Sequence, residues 1–365
     1  MSIKLLNNEE FSDMKDEWNE LLQKSSNNDF FLTWEWVFTW WEVYGKDKEI
    51  FVLLIEDNEG NLAGIAPWYI KKGRINFIGY GENLCSEYLN IIIKKGYEEV
   101  VLDEIFNYLK VNKDEWSVLF LTDILEKHNI TDLICTKAKD KKLPFCREKI
   151  NIPCVCMALP EDSDLMWRGL SKKFRSNIRW ARKKIEENTN SSIKFFFQED
   201  IPKQSMEDMF MLHNKRMEEK GLKGKFDLKD YGLFHRTLLG KAGNHKALSL
   251  LEIDGKNVGM IYGFNYQNKM YIYQTGFDPS SEYKKYSIGQ ILYSYMIEKA
   301  IEMECKEFDF LRGDEKHKLK WTDSKKTKEK IHIFNNSTLK GKMSNFKYQA
   351  KKKIKTFFKK AKKRQ

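Results

Sequence analysis

The segment QTGFDPSSEYKKYSIGQ, residues 274–290, has the make-up of an anion site. An apolar strand ends at Phe277, a loop with Pro279, Ser280 and Ser281 follows, and a helix opens at Ser287, Ile288 and Gly289. The first N–H groups of a helix have no intrahelical acceptor, and the helix dipole adds partial positive charge at that end. A phosphate or pyrophosphate is favoured there. Lys284 and Lys285 stand just ahead of the opening, Gly289 allows close backbone approach, and Thr275, Gly276 and Gln290 flank it. Many helices begin with Ser and Gly without binding anything, so the same residues also read as a plain helix start.

Chemistry of a second kind is carried by FDFLRGD, residues 308–314. Period-two alternation turns Phe308 and Phe310 to one face of a strand and Asp309 and Leu311 to the other. An aspartate in so apolar a strand must be paired or functional. It is either a base or orienter for a nucleophile, or a carboxylate paired with a nearby Lys or Arg. His317 can accept a proton near neutral pH, yet between Lys316 and Lys318 it also reads as a surface residue. Upstream, LMWRGLSKKFRSNIRWARKKIEE (165–187) repeats Arg175, Arg179 and Arg182 at helical spacing. That segment is a solvated linker helix or a surface facing an anionic substrate.

These residues need elements to hold them. One helix is expected over Glu9–Lys24 and a second over TWEWVFTWWEVYG, with Thr33 as its cap and Gly45 as its stop. Trp34, Trp36, Trp40 and Trp41 cover too much of that second helix for a one-faced surface element. IFVLLIEDNEGNLAGIAPWYI reads as a hairpin around Asp57–Asn61. RINFIGYG and EYLNIII supply two further strands, Tyr97–Lys110 a helix, and WSVLFLTDI a buried strand. The second half repeats the order. ALSLLEIDGKNVGMIYGFNY is a hairpin, KMYIYQTGF a strand, Ser287–Cys305 a helix and KEFDFLRG the closing strand. An internal duplication of an α/β unit is the economical account.

Three segments together resemble a known superfamily: FFLTWEWVFTWWEVYG, FIGYGENLCSEYLN, and IGQILYSYMIEKAIEMECKEFDFLRGDEKHKLKW. They look like the GNAT acyltransferases, in particular the tandem-GNAT branch of CelD-type (cellulose-biosynthesis-associated) acetyltransferases, related to Fem-type peptidoglycan aminoacyltransferases. The resemblance implies an α/β (α+β) fold of two tandem GNAT-like domains, each a mixed, mostly antiparallel twisted sheet flanked by helices. On that basis residues 1–160 form the N-terminal domain, 161–335 the C-terminal domain with the donor site, and 336–365 a basic tail. It further implies acetyl-CoA or another acyl-CoA as donor, no metal, and N- or O-acyl transfer to a sugar, nucleotide-sugar or cell-envelope polysaccharide precursor. The phosphates would sit on Thr275, Gly276, Lys284, Lys285, Ser287, Ile288, Gly289 and Gln290. Asp309 and His317 are the catalytic candidates. Lys318 matches a lysine that in Fem-type relatives lies near the substrate phosphate, and Asp314, Arg175, Arg179, Glu87 and Tyr88 complete the expected substrate set. Glu87 and Tyr88 are placed in an acceptor cleft. Departures from the family pattern are a loop poorer in Gly and Arg, His317 where Tyr is common, and Glu87 where Asp is common. Two other functions stay open: a Fem-type aminoacyltransferase drawing on charged tRNA, and a non-catalytic binding module at a membrane. No segment sustains the heptads of the Fem coiled-coil arm.

Charge narrows the partners. Of 64 basic residues, twelve lie between Lys340 and Gln365, where there is no acid. The remaining 52 face 53 acidic residues, which argues against broad nucleic-acid binding by the body, tRNA in the aminoacyltransferase reading excepted. Within 342–365, Met343, Phe346, Ala350, Ile354, Phe357, Phe358 and Ala361 recur at helical spacing among lysines. This is the pattern of a helix on an anionic membrane surface. The acid-bearing N-terminus and the lack of a long apolar run lead to a cytoplasmic expectation, peripheral at the inner membrane face. Six scattered cysteines without C-x-x-C spacing read as buried or incidental thiols.

Overall fold

The computed structural model describes residues 1–82, 85–126, 129–197, 200–280 and 282–362, without the side chains at 188 and 355–362. Ser281 of the expected donor loop, two residues of FIGYGENLCSEYLN, and Phe357, Phe358 and Ala361 of the tail pattern therefore lie outside the described residues or side chains. The chain forms two compact units, one of Met1–Ile150 with Lys328–Gln365 and one of Asn151–Thr327.

Unit 1 opens with strand β1 (Ser2–Leu5). The helix expected over Glu9–Lys24 is two helices, α1 (Asn8–Asp13) and α2 (Lys15–Lys24). Asn7 and Glu10 form a capping box on α1, and the chain turns at Met14 before α2 starts. Helix α3 (Trp34–Tyr44) is capped by Thr33, whose side chain accepts from the Trp36 N–H. Trp34, Trp36 and Trp40 are buried and Trp41 half-buried, as an all-round apolar helix requires. Strands β2 (Glu49–Glu56) and β3 (Leu62–Lys71) form the expected hairpin. Its turn is held by Asp57 Oδ1, which accepts from the Glu59 and Asn61 N–H groups, each at 2.9 Å. Strand β4 (Arg74–Phe77) pairs with β3. The run EYLNIII yields only β5 (Ile92–Ile93), because Asn90 Oδ1 takes the Ile91 N–H locally at 2.8 Å. Helix α4 (Glu98–Val111) leads to β6 (Val118–Leu125), parallel to β4, and α5 (Ile130–Asp140) follows.

Strand β7 (Phe145–Ala158) carries the chain into unit 2. The basic segment 165–187 is split into α6 (Ser163–Gly169) and α7 (Lys172–Asn188), since Ser171 caps a new helix by accepting from the Phe174 N–H. Then come β8 (Ser191–Phe197), α8 (Lys203–Glu219), α9 (Lys229–Lys241), β9 (Lys246–Ile253), β10 (Lys256–Tyr266), β11 (Lys269–Phe277), α10 (Ile288–Glu302) and β12 (Glu307–Arg312). Strand β13 (Lys325–Phe334) returns the chain to unit 1, where it pairs antiparallel with β6, and α11 (Leu339–Lys362) ends the described chain.

Each unit thus repeats hairpin, third strand, helix and a closing strand parallel to the third. In unit 2 the strand order is β7-β12-β11-β10-β9-β8. Phe308, Phe310, Met270 and Ile272 pack with Ile291, Met296 and Ile297 of α10 and Ile178 of α7 in one core. On the opposite face, α8 lies so close that a Cβ on Gly276 would come 2.7 Å from the His213 nitrogen. Strands β11 and β12 pair only from Lys269↔Glu307 to Tyr271↔Asp309. Past that point β12 kinks, with Leu311 at φ 57° and a register shift against β7, so β11 runs on to Thr275 and Phe277 without it. This parting of two parallel strands frames the site.

Candidate active site

Ser287 takes a left-handed conformation, φ 56° and ψ 56°, and turns the chain into α10. The Gln290 and Ile291 N–H groups bond back to the Ser287 carbonyl at 2.8 and 3.3 Å. The N–H groups of Ile288 and Gly289 have no acceptor among the described residues. They open onto a cavity of about 270 Å³ beside the end of β11. Thr275, Lys284, Ser287, Ile288, Gly289, Gln290 and His317, all named from sequence, line this one space. Gly276 instead lies against α8, and Lys285 lines an adjoining cavity of about 300 Å³ with Trp180 and Tyr286. Ser287, Gln290 and Lys320 border both cavities.

Sequence reading missed the residue that most defines the charge of the site. Arg216 reaches in from α8, donates to Thr275 Oγ1 at 2.6 Å and to the Thr275 carbonyl at 3.3 Å, and lies 4.4 Å from the Phe277 ring centre. Its Nε is buried without a hydrogen-bond partner, and no carboxylate pairs with it among the described residues. Burial lowers the pKa of this guanidinium. Lys284 is paired with Glu219, whereas Asp278 is occupied by Ser280, whose N–H and hydroxyl reach its Oδ1 at 2.9 and 2.6 Å. A half-buried cation beside two free amides is a site for an anion.

His317 and Tyr293 face the same cavity, their rings stacked at 6.1 Å and 14°. Burial pushes the His317 imidazole down to about 4, against the opposing pull of Glu315, so it is neutral at pH 7. Burial pushes the Tyr293 phenol up to about 12 and keeps it protonated. The loop carrying His317 is anchored to α10 by Gln290, which donates to the His317 carbonyl at 3.4 Å and accepts from Trp321 Nε1 at 2.9 Å. Lys318 braces the same loop from beneath, donating to the Arg312 and Gly313 carbonyls at 2.7 and 3.3 Å and pairing with Glu315 at 3.0 Å.

Asp309 is fully buried and does not line the cavity. Its Oδ2 lies 2.7 Å from Lys326 Nζ and its Oδ1 accepts from the Leu311 N–H at 2.8 Å. Asp314 pairs with Lys325 at 2.8 Å. Arg175 donates to the Trp167 carbonyl at 3.0 Å, Arg179 lies 5.1 Å over the Trp167 ring, and Arg182 pairs with Glu298 at 2.9 Å. These arginines are engaged within α6, α7 and α10. In unit 1, buried Glu87 and Asp123 both pair with Lys328, at 2.5 and 2.9 Å, and Lys328 Nζ lies 6.0 Å from the Tyr88 ring. Among the described residues no group of three or more His, Cys, Asp or Glu is placed to hold a metal ion.

Residues 172–319 match the acetyltransferase (GNAT) domain family, so unit 2 carries a GNAT acyltransferase domain. The family resemblance read from sequence is thereby met by the fold. Solved structures agree at the level of the fold. FemX is 11% identical, with a TM-score of 0.61 over 92% of this chain and 98% of its own. A conserved protein of unknown function from Bacteroides thetaiotaomicron is 11% identical, with a TM-score of 0.56 over 92% and 99%. L-PGS from Bacillus licheniformis is 11% identical, with a TM-score of 0.55 over 89% and 93%. No curated protein sequence matches the chain.

Proposed function

We propose that the protein is an acyl-CoA-dependent N- or O-acyltransferase whose donor phosphates bind at the opening of α10. The observation that carries this reading is the conjunction of the free Ile288 and Gly289 amides with Arg216, a half-buried guanidinium without a carboxylate partner among the described residues. An uncompensated buried charge is costly, and it is retained where an anionic ligand offsets it. The acceptor on this reading is an amine or hydroxyl of a sugar, nucleotide-sugar or cell-envelope polysaccharide precursor.

The donor supplies an acyl thioester, whose carbonyl the acceptor attacks as the C–S bond breaks. His317, neutral because it is buried, takes the proton released by the attacking amine or hydroxyl. Tyr293 holds its phenolic proton at neutral pH and returns one to the departing sulfur. Asp309 acts at one remove: bound to Lys326 and to the Leu311 N–H, it fixes the kink at which β12 leaves β11. Lys318 does the same for the loop bearing His317.

Calorimetry with acetyl-CoA and with S-acetylpantetheine, which lacks the phosphates, tests the reading. Acetyl-CoA is expected to bind with a Kd between about 1 μM and 1 mM, and S-acetylpantetheine much more weakly. Equal affinity for the two ligands, or no heat with folded protein, defeats the proposal. Acyl transfer from charged tRNA alone would move the donor class to aminoacyl-tRNA.

A further inference from the structure

The last helix of unit 1 presents its apolar side away from the unit it is docked on. In α11, Gly341, Asn345, Tyr348 and Lys352 fall on one stripe. Gly341 lies so close to its unit that a Cβ there would come 1.9 Å from the Asn335 carbonyl oxygen. The Tyr348 ring packs 4.6 Å from His332 and 5.5 Å from Phe334, and Lys352 Nζ donates to Cys146 Sγ at 3.0 Å. Leu339, Met343, Phe346 and Ile354 form a second stripe, exposed by 75, 49, 77 and 57%. At 3.6 residues per turn the two stripes are roughly half a turn apart.

Lysines border the exposed stripe on both sides, Lys340, Lys347 and Lys351 along one edge and Lys342 and Lys353 along the other. From Leu339 to Ile354 there is no acid. We infer that α11 seats unit 1 on an anionic lipid surface, with Met343, Phe346 and Ile354 in the acyl boundary and the flanking lysines against lipid phosphates. An apolar stripe between two lysine rows matches the depth profile of a bilayer interface, apolar below and anionic above. Nucleic acid would use the lysines but offers no matching apolar layer along the stripe. The helix lies on the surface rather than crossing it, because its other side is held by unit 1, and no described helix is long and apolar enough to span. Docking by the opposite stripe means that no rearrangement of α11 has to precede binding.

Co-sedimentation of the full chain with vesicles tests this without any acyl donor, so its outcome is independent of the proposed enzymatic activity. The vesicles are phosphatidylcholine alone, or phosphatidylcholine with about one-third phosphatidylglycerol. Wild type is expected on the anionic vesicles and not on the neutral ones. The triple variant Met343→Ser/Phe346→Ser/Ile354→Ser keeps every charge and changes only exposed side chains. It is expected to bind at least about tenfold more weakly with an unchanged circular dichroism spectrum. Lys340→Gln/Lys347→Gln/Lys353→Gln is expected to lose about tenfold or more, and wild-type binding to fall with added salt. Equal vesicle binding by wild type and both variants overturns the inference. So does binding to duplex DNA or RNA, unaffected by the serine substitutions, in a protein that ignores vesicles.

Discussion

Arg216 donates a 2.6 Å hydrogen bond to Thr275 Oγ1 and so ties α8 to the end of β11, beside the open amides of α10. Its charge has no carboxylate partner among the described residues. Replacement by an apolar side chain of similar length should therefore divide stability from function. Arg216→Met is expected to keep or raise the thermal midpoint, since an unpaired half-buried charge is removed. The same variant should bind acetyl-CoA about tenfold to a hundredfold more weakly, the worth of a charge-assisted hydrogen bond. Calorimetry and thermal melts on one preparation read both. A lower midpoint with unchanged affinity would make Arg216 a purely structural residue.

His317 sets the expected pH dependence of turnover. Its folded pKa of about 4 places the imidazole in its proton-accepting form throughout the neutral range. The acid limb of kcat/KM should accordingly fall near pH 4 instead of near 6.5, the ordinary value for His. His317→Gln should lower kcat by about a hundredfold or more, remove that limb, and leave the KM for donor nearly unchanged. A wild-type limb near 6.5, or a variant with full kcat, excludes His317 as the base.

Lys326 and Asp309 form a buried pair whose halves should not be separable. Burial works against the Lys326 charge, but Asp309 and Glu307 outweigh it and raise its pKa. Lys326→Met strands a carboxylate that is 0% exposed and is expected to cost about 3–5 kcal/mol in urea unfolding. Adding Asp309→Asn to that variant should recover part of the loss, because the stranded charge is gone. Additive losses in the double variant would show that the two residues are not coupled.

Acid should destabilise the fold through its histidines. Burial depresses His213, His317 and His332 to about 4, and His235 well below its ordinary value of 6.5. The unfolded chain binds these protons near pH 6.5 while the folded chain resists them. Their contribution is complete above 6.5 and is lost as pH falls towards 4, on the order of 1–3 kcal/mol for the most buried. The urea midpoint should drop steadily across that window, and less so in His213→Gln. A flat midpoint from pH 6.5 to 4.5 would contradict the burial of these rings.

The opening of α10 was legible in the sequence because its signals are contiguous: an apolar strand, a loop, two lysines, then Ser-Ile-Gly. The repeated order of strands and helices was legible for the same reason, since hairpin turns and periodicity are local. Arg216 was not, because it sits in a helix 59 residues from Thr275 and differs in nothing local from its basic neighbours. Tyr293 was passed over although Tyr295 two residues on was read as inward. It is Tyr293 that is buried, while the Tyr295 hydroxyl reaches out to Glu186 at 2.7 Å. Asp309 was legible as a residue with a partner, but not which partner, for Lys326 lies on a strand whose place depends on long-range register. The return of β13 and α11 to unit 1 had no local signature at all.

A crystal structure with coenzyme A bears most directly on the site. Pyrophosphate oxygens are expected about 2.7–3.2 Å from the Ile288 and Gly289 nitrogens, with the Arg216 guanidinium turned onto a phosphate. Coenzyme A bound elsewhere on the protein, or a phosphate-free opening of α10 at saturating ligand, would contradict the assignment.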